Sequence, residues 1–249
     1  MLICNYNPRG GNAILSRRKK QPTIDGWQEA VEGVKEKEKS TEINVIAKTE
    51  GQKRYIQTIL NNDITFCSGP AGSGKTYLSA GIGLQLLLKG EYKKIVIMRP
   101  ATEACGEKIG WVPGTANQKL EGFTASFFDS IGMFLRKTAI KDLIEEGHIE
   151  VIPLGFLRGR SLSHSCILIE ESQDLTVSQT LLILTRIGLG SKMVFSGDLT
   201  QSDIHERNGL EDAFSRLQGV KGVGFCELDS SDIVRHSIIA PIIERYKKR

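Results

Sequence analysis

The chain has 249 residues, 40% apolar and 25% charged, with only 7 prolines. That composition excludes a disordered chain, and the length allows one large or two small domains burying roughly 70% of the unfolded surface. Lysine plus arginine exceed aspartate plus glutamate by 33 − 29 = +4, an excess that permits contact with nucleic acid without demanding it. Five cysteines, Cys4, Cys67, Cys105, Cys166 and Cys226, lack any C-x-x-C spacing and read as reduced, intracellular packing residues. No stretch approaches the roughly 20 apolar residues that span a bilayer, and residues 1–21 turn basic before an apolar signal core forms. The expectation is a cytoplasmic protein without membrane contact.

In chain order, residues 1–43 form an N-terminal lead-in, expected to be solvated and partly mobile, with the charge run Lys35-Glu36-Lys37-Glu38-Lys39. Across 44–249, apolar runs of strand type at 64–67, 95–98, 149–152, 166–169, 193–195 and 223–226 alternate with helical segments at 76–89, 127–146, 178–186, 210–217 and 238–247. Strands that are apolar throughout are buried on both faces, and alternation with helices requires crossover connections. The predicted class is therefore α/β, one domain with a mostly parallel sheet and helices on both faces. Residues 101–120, which hold Trp111-Val-Pro-Gly114, fit neither period and read as a long functional loop.

Gly69-Pro-Ala-Gly-Ser-Gly74-Lys75-Thr76 matches G-x-x-x-x-G-K-[ST], a Walker A P-loop, between a strand and a helix. Backbone N–H groups must wrap a phosphate chain, so Gly69, Gly72 and Gly74 avoid Cβ clashes and allow positive φ. The cradle is read as Gly69, Pro70, Ala71, Gly72, Ser73 and Gly74, with Lys75, Thr76 and Tyr77 opening a helix whose N-terminus faces the anion. Lys75 reaches the β and γ phosphates, and the Thr76 hydroxyl ligates Mg²⁺.

Such a loop needs an acid at the end of a neighbouring strand, and Cys166-Ile-Leu-Ile-Glu170-Glu171 supplies two. Side chains alternate along a strand, so both acids serve one site only if the chain bends there. Glu170 is assigned to the metal and Glu171 to the attacking water as general base. In Gly197-Asp-Leu-Thr-Gln201 the amide of Gln201 can meet the γ phosphate or the water. Gln52, about 17 residues before the loop, carries the donor and acceptor that pair with an adenine edge, and a solvated helix face is the competing account.

This set resembles the PhoH family of P-loop ATPases. The likeness rests further on Arg99-Pro-Ala-Thr-Glu103, Gly106-Glu-Lys108, Gly110-Trp-Val-Pro-Gly114, Phe156-Leu-Arg158-Gly-Arg160, Glu170-Glu-Ser-Gln173, the stretch 184–193 and Asp232-Ile-Val-Arg235-His236. It spans roughly residues 44–246. The resemblance implies a RecA-like P-loop NTPase core that hydrolyses ATP with Mg²⁺, and homo-oligomeric rings, often hexameric, in which arginines complete a neighbour's site. It also implies links to phosphate starvation and RNA metabolism, and relatives in bacteriophages. The family usually has Asp where Glu170 stands, and about 43 residues before the core leave no room for the RNA-binding domain of larger bacterial members. The expectation is a phage-type minimal form acting in a host cytoplasm.

Arg235 is the first choice for the γ phosphate, since a guanidinium fork clamps charge that spreads during phosphoryl transfer. Arg99, the 101–120 loop, Arg158 and Arg160, with Trp111, Phe123 and Phe156 as stacking groups, are the candidate contacts for RNA or single-stranded DNA. Two functions remain: an ATPase coupled to nucleic acid, helicase-like in character, or an ATP-sensing module with slow hydrolysis that docks a nuclease or other partner. A small-molecule kinase is a third, disfavoured by the Gly-Asp-x-x-Gln tetrad.

Overall fold

Six apolar runs become the six strands of one sheet, β1 (Ile64–Ser68), β2 (Lys94–Met98), β3 (Ile149–Val151), β4 (Ser165–Ile169), β5 (Lys192–Gly197) and β6 (Val223–Glu227). The computed structural model describes residues 43–100, 125–204, 207–234 and 245. Every neighbouring pair of strands is parallel, in the order β3-β2-β4-β5-β1-β6. All strands therefore end at one edge of the sheet, where open α/β sheets place their ligands.

Because side chains alternate along a strand, the sheet separates two apolar layers. Cys67, Ile95, Ile97, Leu168 and Val194 face one layer, closed by helices α1 (Glu50–Asn61), α2 (Lys75–Leu88) and α3 (Lys137–Glu145). Phe66, Val96, Met98, Ile167 and Phe195 face the other, closed by α4 (Val177–Leu184) and α5 (Gly209–Arg216). Phe66 stacks on Phe195 at 4.6 Å and on Phe225 at 5.6 Å, which ties β1 to both of its neighbours. The α/β fold with helices on both faces is as expected.

Two local differences from the sequence reading have physical causes. The helix expected at 127–146 is divided: residues 125–131 are helical, a turn follows, and α3 begins only after Arg136, whose φ of −70° and ψ of 152° are extended. The break brings the Phe134 ring to 4.9 Å from that of Tyr77 on α2, a stack that an unbroken helix would forgo, and Gly132 lowers the cost of leaving the helix there. Helix α1 is the other difference, since no separate helix is expected over its length. Thr49 caps it by accepting from the Gln52 amide at 3.1 Å, and Gly51, Gln52, Tyr55 and Ile59 form its buried stripe.

At the far end of α1, the buried ammonium of Lys192 on β5 donates to the carbonyl oxygens of Ile59, at 2.6 Å, and Asn62. A cation there satisfies carbonyls that have no helical partner and meets the negative end of the helix dipole. Among the described residues, no helix is long and apolar enough to cross a membrane. The lead-in up to residue 42, the 101–120 loop and all of the 238–247 helix except residue 245 lie outside the described residues.

Candidate nucleotide site

Strand β1, flanked by β5 and β6, ends at Ser68, and the chain turns through Gly69–Gly74 into α2. Gly72 and Gly74 both have φ of +86°, which an L side chain rarely adopts. At Gly69 the other expected reason applies, since its φ is not positive but a Cβ there would lie 2.7 Å from the Cβ of Leu228. Lys75 folds across the mouth of the loop, its ammonium donating to the carbonyls of Gly69 at 2.6 Å and Pro70 at 3.1 Å.

The acid-ended strand β4 is not beside β1, because β5 lies between them. The intervening strand contributes Gly197 and Asp198 to the same edge. Glu170 is 3% exposed and accepts from the Ser126 hydroxyl at 3.2 Å. Burial pushes its pKa up; the Thr76 and Ser126 hydroxyls and the Arg99 charge oppose the rise, and the Glu171 charge adds to it. Its Oε1 is buried without a hydrogen-bond partner. A lone carboxylate oxygen beside the P-loop threonine is the donor set for Mg²⁺, which takes one or two protein ligands and completes its shell with phosphate oxygens and water. No cluster of three or more His, Cys, Asp or Glu side chains exists among the described residues, so a cage of protein ligands is not the arrangement found there.

Glu171 is left-handed, with φ of 49° and ψ of 41°. This is the bend that two adjacent acids require, and it turns the Glu171 side chain toward the cavity that Glu170 borders. Its Oε2 accepts from Gln173 Nε2 at 2.9 Å, and Arg99 Nη2 stands 3.6 Å from Oε1. The other end of the Gln173 amide accepts from the Asp198 backbone N–H at 3.0 Å, and the Asp198 carboxylate accepts from Gln201 Nε2 at 2.8 Å. A continuous hydrogen-bonded chain thus runs from Glu171 to Gln201.

Glu171, Asp198 and Gln201 line one cavity of about 590 Å³, together with Gly72, Gly74, Lys75 and Thr76. Its remaining wall includes Ile46, Tyr77, Met133 and Val234, with Lys48, Ser126, Asp129 and Ser130 between. The 126–133 wall carries no motif and escaped the sequence reading. Its one signal is polar Ser126 and Ser130 alternating at helical spacing with buried Phe127 and Ile131.

Gln52 lines the cavity but is buried, and its amide is already engaged. Oε1 accepts from the Lys48 N–H at 2.7 Å, and Nε2 donates to the Ser73 carbonyl at 3.0 Å. Reading an adenine edge would cost it one of these bonds. It is not the solvated face that the competing account described.

The arginines divide. Arg99 belongs with Glu171, as above. Arg160 pairs with Glu150 at 2.8 Å, which Lys94 also holds at 2.7 Å. Burial pushes the Glu150 pKa up, but the hydrogen bonds from Lys94 and Arg160 outweigh it and the net shift is down. Arg158 is exposed on the turn after β3, next to Phe156, which is 71% exposed. Arg235, Trp111 and Phe123 lie outside the described residues, although Val234 donates its N–H to the Gly72 carbonyl at 3.0 Å.

A parallel sheet with one strand opening into a glycine-lined anion cradle, and a buried acid facing the threonine that ends that cradle, defines a P-loop nucleotide-binding protein. The chain belongs to the PhoH family, since residues 44–247 match the family model described as PhoH-like protein. A PhoH-like protein of Synechocystis is 43% identical over 206 residues, covering 82% of this chain and 62% of the relative. The one from Bacillus subtilis is 39% identical over 208 residues, covering 83% and 65%. Protein PhoH of Escherichia coli K12 is 28% identical over 206 residues, covering 81% and 58%. The chain thus spans less than two thirds of the length of these curated relatives. Among solved structures, the UvsW helicase of bacteriophage T4 aligns with a TM-score of 0.46 at 16% identity, covering 74% of this chain and 61% of that one. The Pif1 helicase of Candida albicans aligns with a TM-score of 0.44 at 18% identity, covering 81% and 43%.

Proposed function

We propose that the protein is a Mg²⁺-dependent ATPase whose turnover is coupled to RNA or single-stranded DNA. The observation that carries this reading is the convergence on one cavity of Lys75, Thr76, Glu171 and Gln201, with Glu170 buried beside it. Thr76 and Glu170 would hold the magnesium ion, which when bound neutralises phosphate charge. The backbone amides of 72–76 and the Lys75 ammonium bind and orient the triphosphate. Glu171 then accepts the proton of a water whose oxygen bonds to the γ phosphorus as the bond to the β–γ bridging oxygen breaks, giving ADP and inorganic phosphate. Gln201, held by Asp198, orients that water from the opposite loop.

Glu171→Gln should lower turnover at least 100-fold while ATP binding persists, measured by phosphate release and by retention of labelled nucleotide. Equal turnover in the two proteins would overturn the assignment and favour the ATP-sensing module. For the nucleic-acid part, Phe156 and Arg158 share a turn at the edge of the sheet that carries the cavity, an aromatic and a cation of the kind that stack and hold single strands. Turnover should rise with single-stranded RNA or DNA at low salt, and the effect should fade at high salt. Absence of both binding and stimulation at low salt removes this part. Ring assembly, which the family resemblance implies, is read from native mass with and without Mg²⁺ and ATP.

A further inference from the structure

We infer that Asp232 is a positioning residue that sets the shape of the phosphate loop, an inference that rests on the nucleotide-site reading above. Two segments far apart in sequence, 49–51 and 229–232, meet at this side chain. Its carboxylate accepts from the Thr49 hydroxyl and, at 3.0 Å, from the Asp229 N–H, and it is 2% exposed. It lies over the first turn of α1, where a negative charge is favoured. Gly51 of that turn faces it so closely that a Cβ would overlap both carboxylate oxygens. A glycine weakens a helix relative to alanine, and the Asp232 carboxylate is what demands this one.

From this anchor two connections reach the loop. The Asp232 carbonyl accepts from Gln52 Nε2 at 3.4 Å, and the same amide nitrogen donates to the Ser73 carbonyl at 3.0 Å. Two residues further on, Val234 donates to the Gly72 carbonyl at 3.0 Å. Successive peptides of the cradle are therefore held from outside, Gly72 by Val234 and Ser73 by Gln52 of α1, the two elements that Asp232 pins together. With these partners the Gly72 and Ser73 carbonyls fix the planes of their peptides: the Ser73 N–H is turned back onto the Pro70 carbonyl at 3.2 Å, and the orientation of the Gly74 N–H is set with the Ser73 carbonyl. Val234 lines the cavity, so the pin also fixes where the chain enters its rim.

The test measures the Kd of a non-hydrolysable ATP analogue with Mg²⁺, alongside thermal melts, for the full-length chain and four variants. Asp232→Ala should raise Kd at least tenfold in protein that still melts cooperatively. Asp232→Asn, which keeps an acceptor for Thr49 but not for Asp229 as well, should lie between Asp232→Ala and wild type. Gly51→Ala, which adds no charge and removes no hydrogen-bonding group, should raise Kd about fivefold by displacing the carboxylate. In the double variant Gly51→Ala/Asp232→Ala the methyl enters vacated space, so Kd should stay within twofold of Asp232→Ala alone rather than multiplying. A residue that only supports the fold would lower the melting temperature and the active fraction while leaving Kd unchanged. Kd within twofold of wild type in Asp232→Ala, or in Asp232→Asn and Gly51→Ala if the alanine variant does not fold, overturns the inference, as do multiplicative effects in the double variant. Failure of wild type to bind any nucleotide overturns the nucleotide site itself.

Discussion

At the scale of single residues, Glu170 shows how a functional group is maintained against stability. A carboxylate oxygen buried with no partner is costly, and the cost appears as a raised pKa. With a folded-state pKa above the unfolded one, the favourable contribution is complete below the unfolded value and is lost as pH rises through the folded value. Ligand-free protein should thus lose stability as pH climbs out of the acid range. Glu170→Gln should flatten that segment of the stability profile and raise the neutral-pH melting temperature by about 2–4 °C, for roughly 1 kcal/mol relieved. The same substitution should abolish stabilisation by Mg²⁺ with nucleotide, and melts across a pH series check both. Glu171 is strained in a different way, since a left-handed backbone at a glutamate costs on the order of 1–3 kcal/mol. The need for a bend was legible in the sequence, because two adjacent carboxylates cannot otherwise share a site. The partners of Gln52 were not legible: they are backbone groups of Lys48 and Ser73, and only the folded path of the chain brings them together.

At the scale of elements, the same contrast separates strands from helices. The six strands were readable because burial on both faces demands unbroken apolar runs. Helix α1 was overlooked although its Thr49 cap and the stripe Gly51, Gln52, Tyr55 and Ile59 are local signals; what could not be read is the cation at its far end, which comes from more than a hundred positions away. Lys192→Met keeps much of the side-chain volume but removes the donor to Ile59 and Asn62, leaving those carbonyls without their cation. It should destabilise the protein by about 1–3 kcal/mol, read from denaturant midpoints, with nucleotide affinity of the folded protein little changed. The opposite outcome is expected at β3, where Arg160 and Glu150 form a partly exposed pair. Arg160→Ala should cost under about 1 kcal/mol and leave single-strand affinity intact, whereas Phe156→Ala with Arg158→Ala should weaken it, as fluorescence polarisation of a labelled strand would report.

At the scale of the molecule, the two apolar layers share five of the six strands, all but β3, so neither can melt while the other persists. One cooperative calorimetric transition is expected for the described core. Mg²⁺ with ATP analogue at 100 times its Kd should move it upward by about 2.7 kcal/mol in stability, or roughly 5–10 °C. Two resolved transitions would contradict the shared sheet. Parallel strands and crossovers followed from the alternation of runs, but strand order did not. Nothing in the sequence says that β5 separates the P-loop strand from the acid-ended one, because order depends on which crossovers pass over which face.

That order has a consequence for biosynthesis. The strand that leads into the P-loop is made early, yet both of its lateral neighbours, β5 and β6, emerge from the ribosome last. Until then a nascent chain carries an unzipped apolar ribbon with nothing to zip to, and no nucleotide can rescue it. Such a chain should lean on chaperones during translation, and slowing synthesis across β5 and β6 should alter yield more than slowing it across β1.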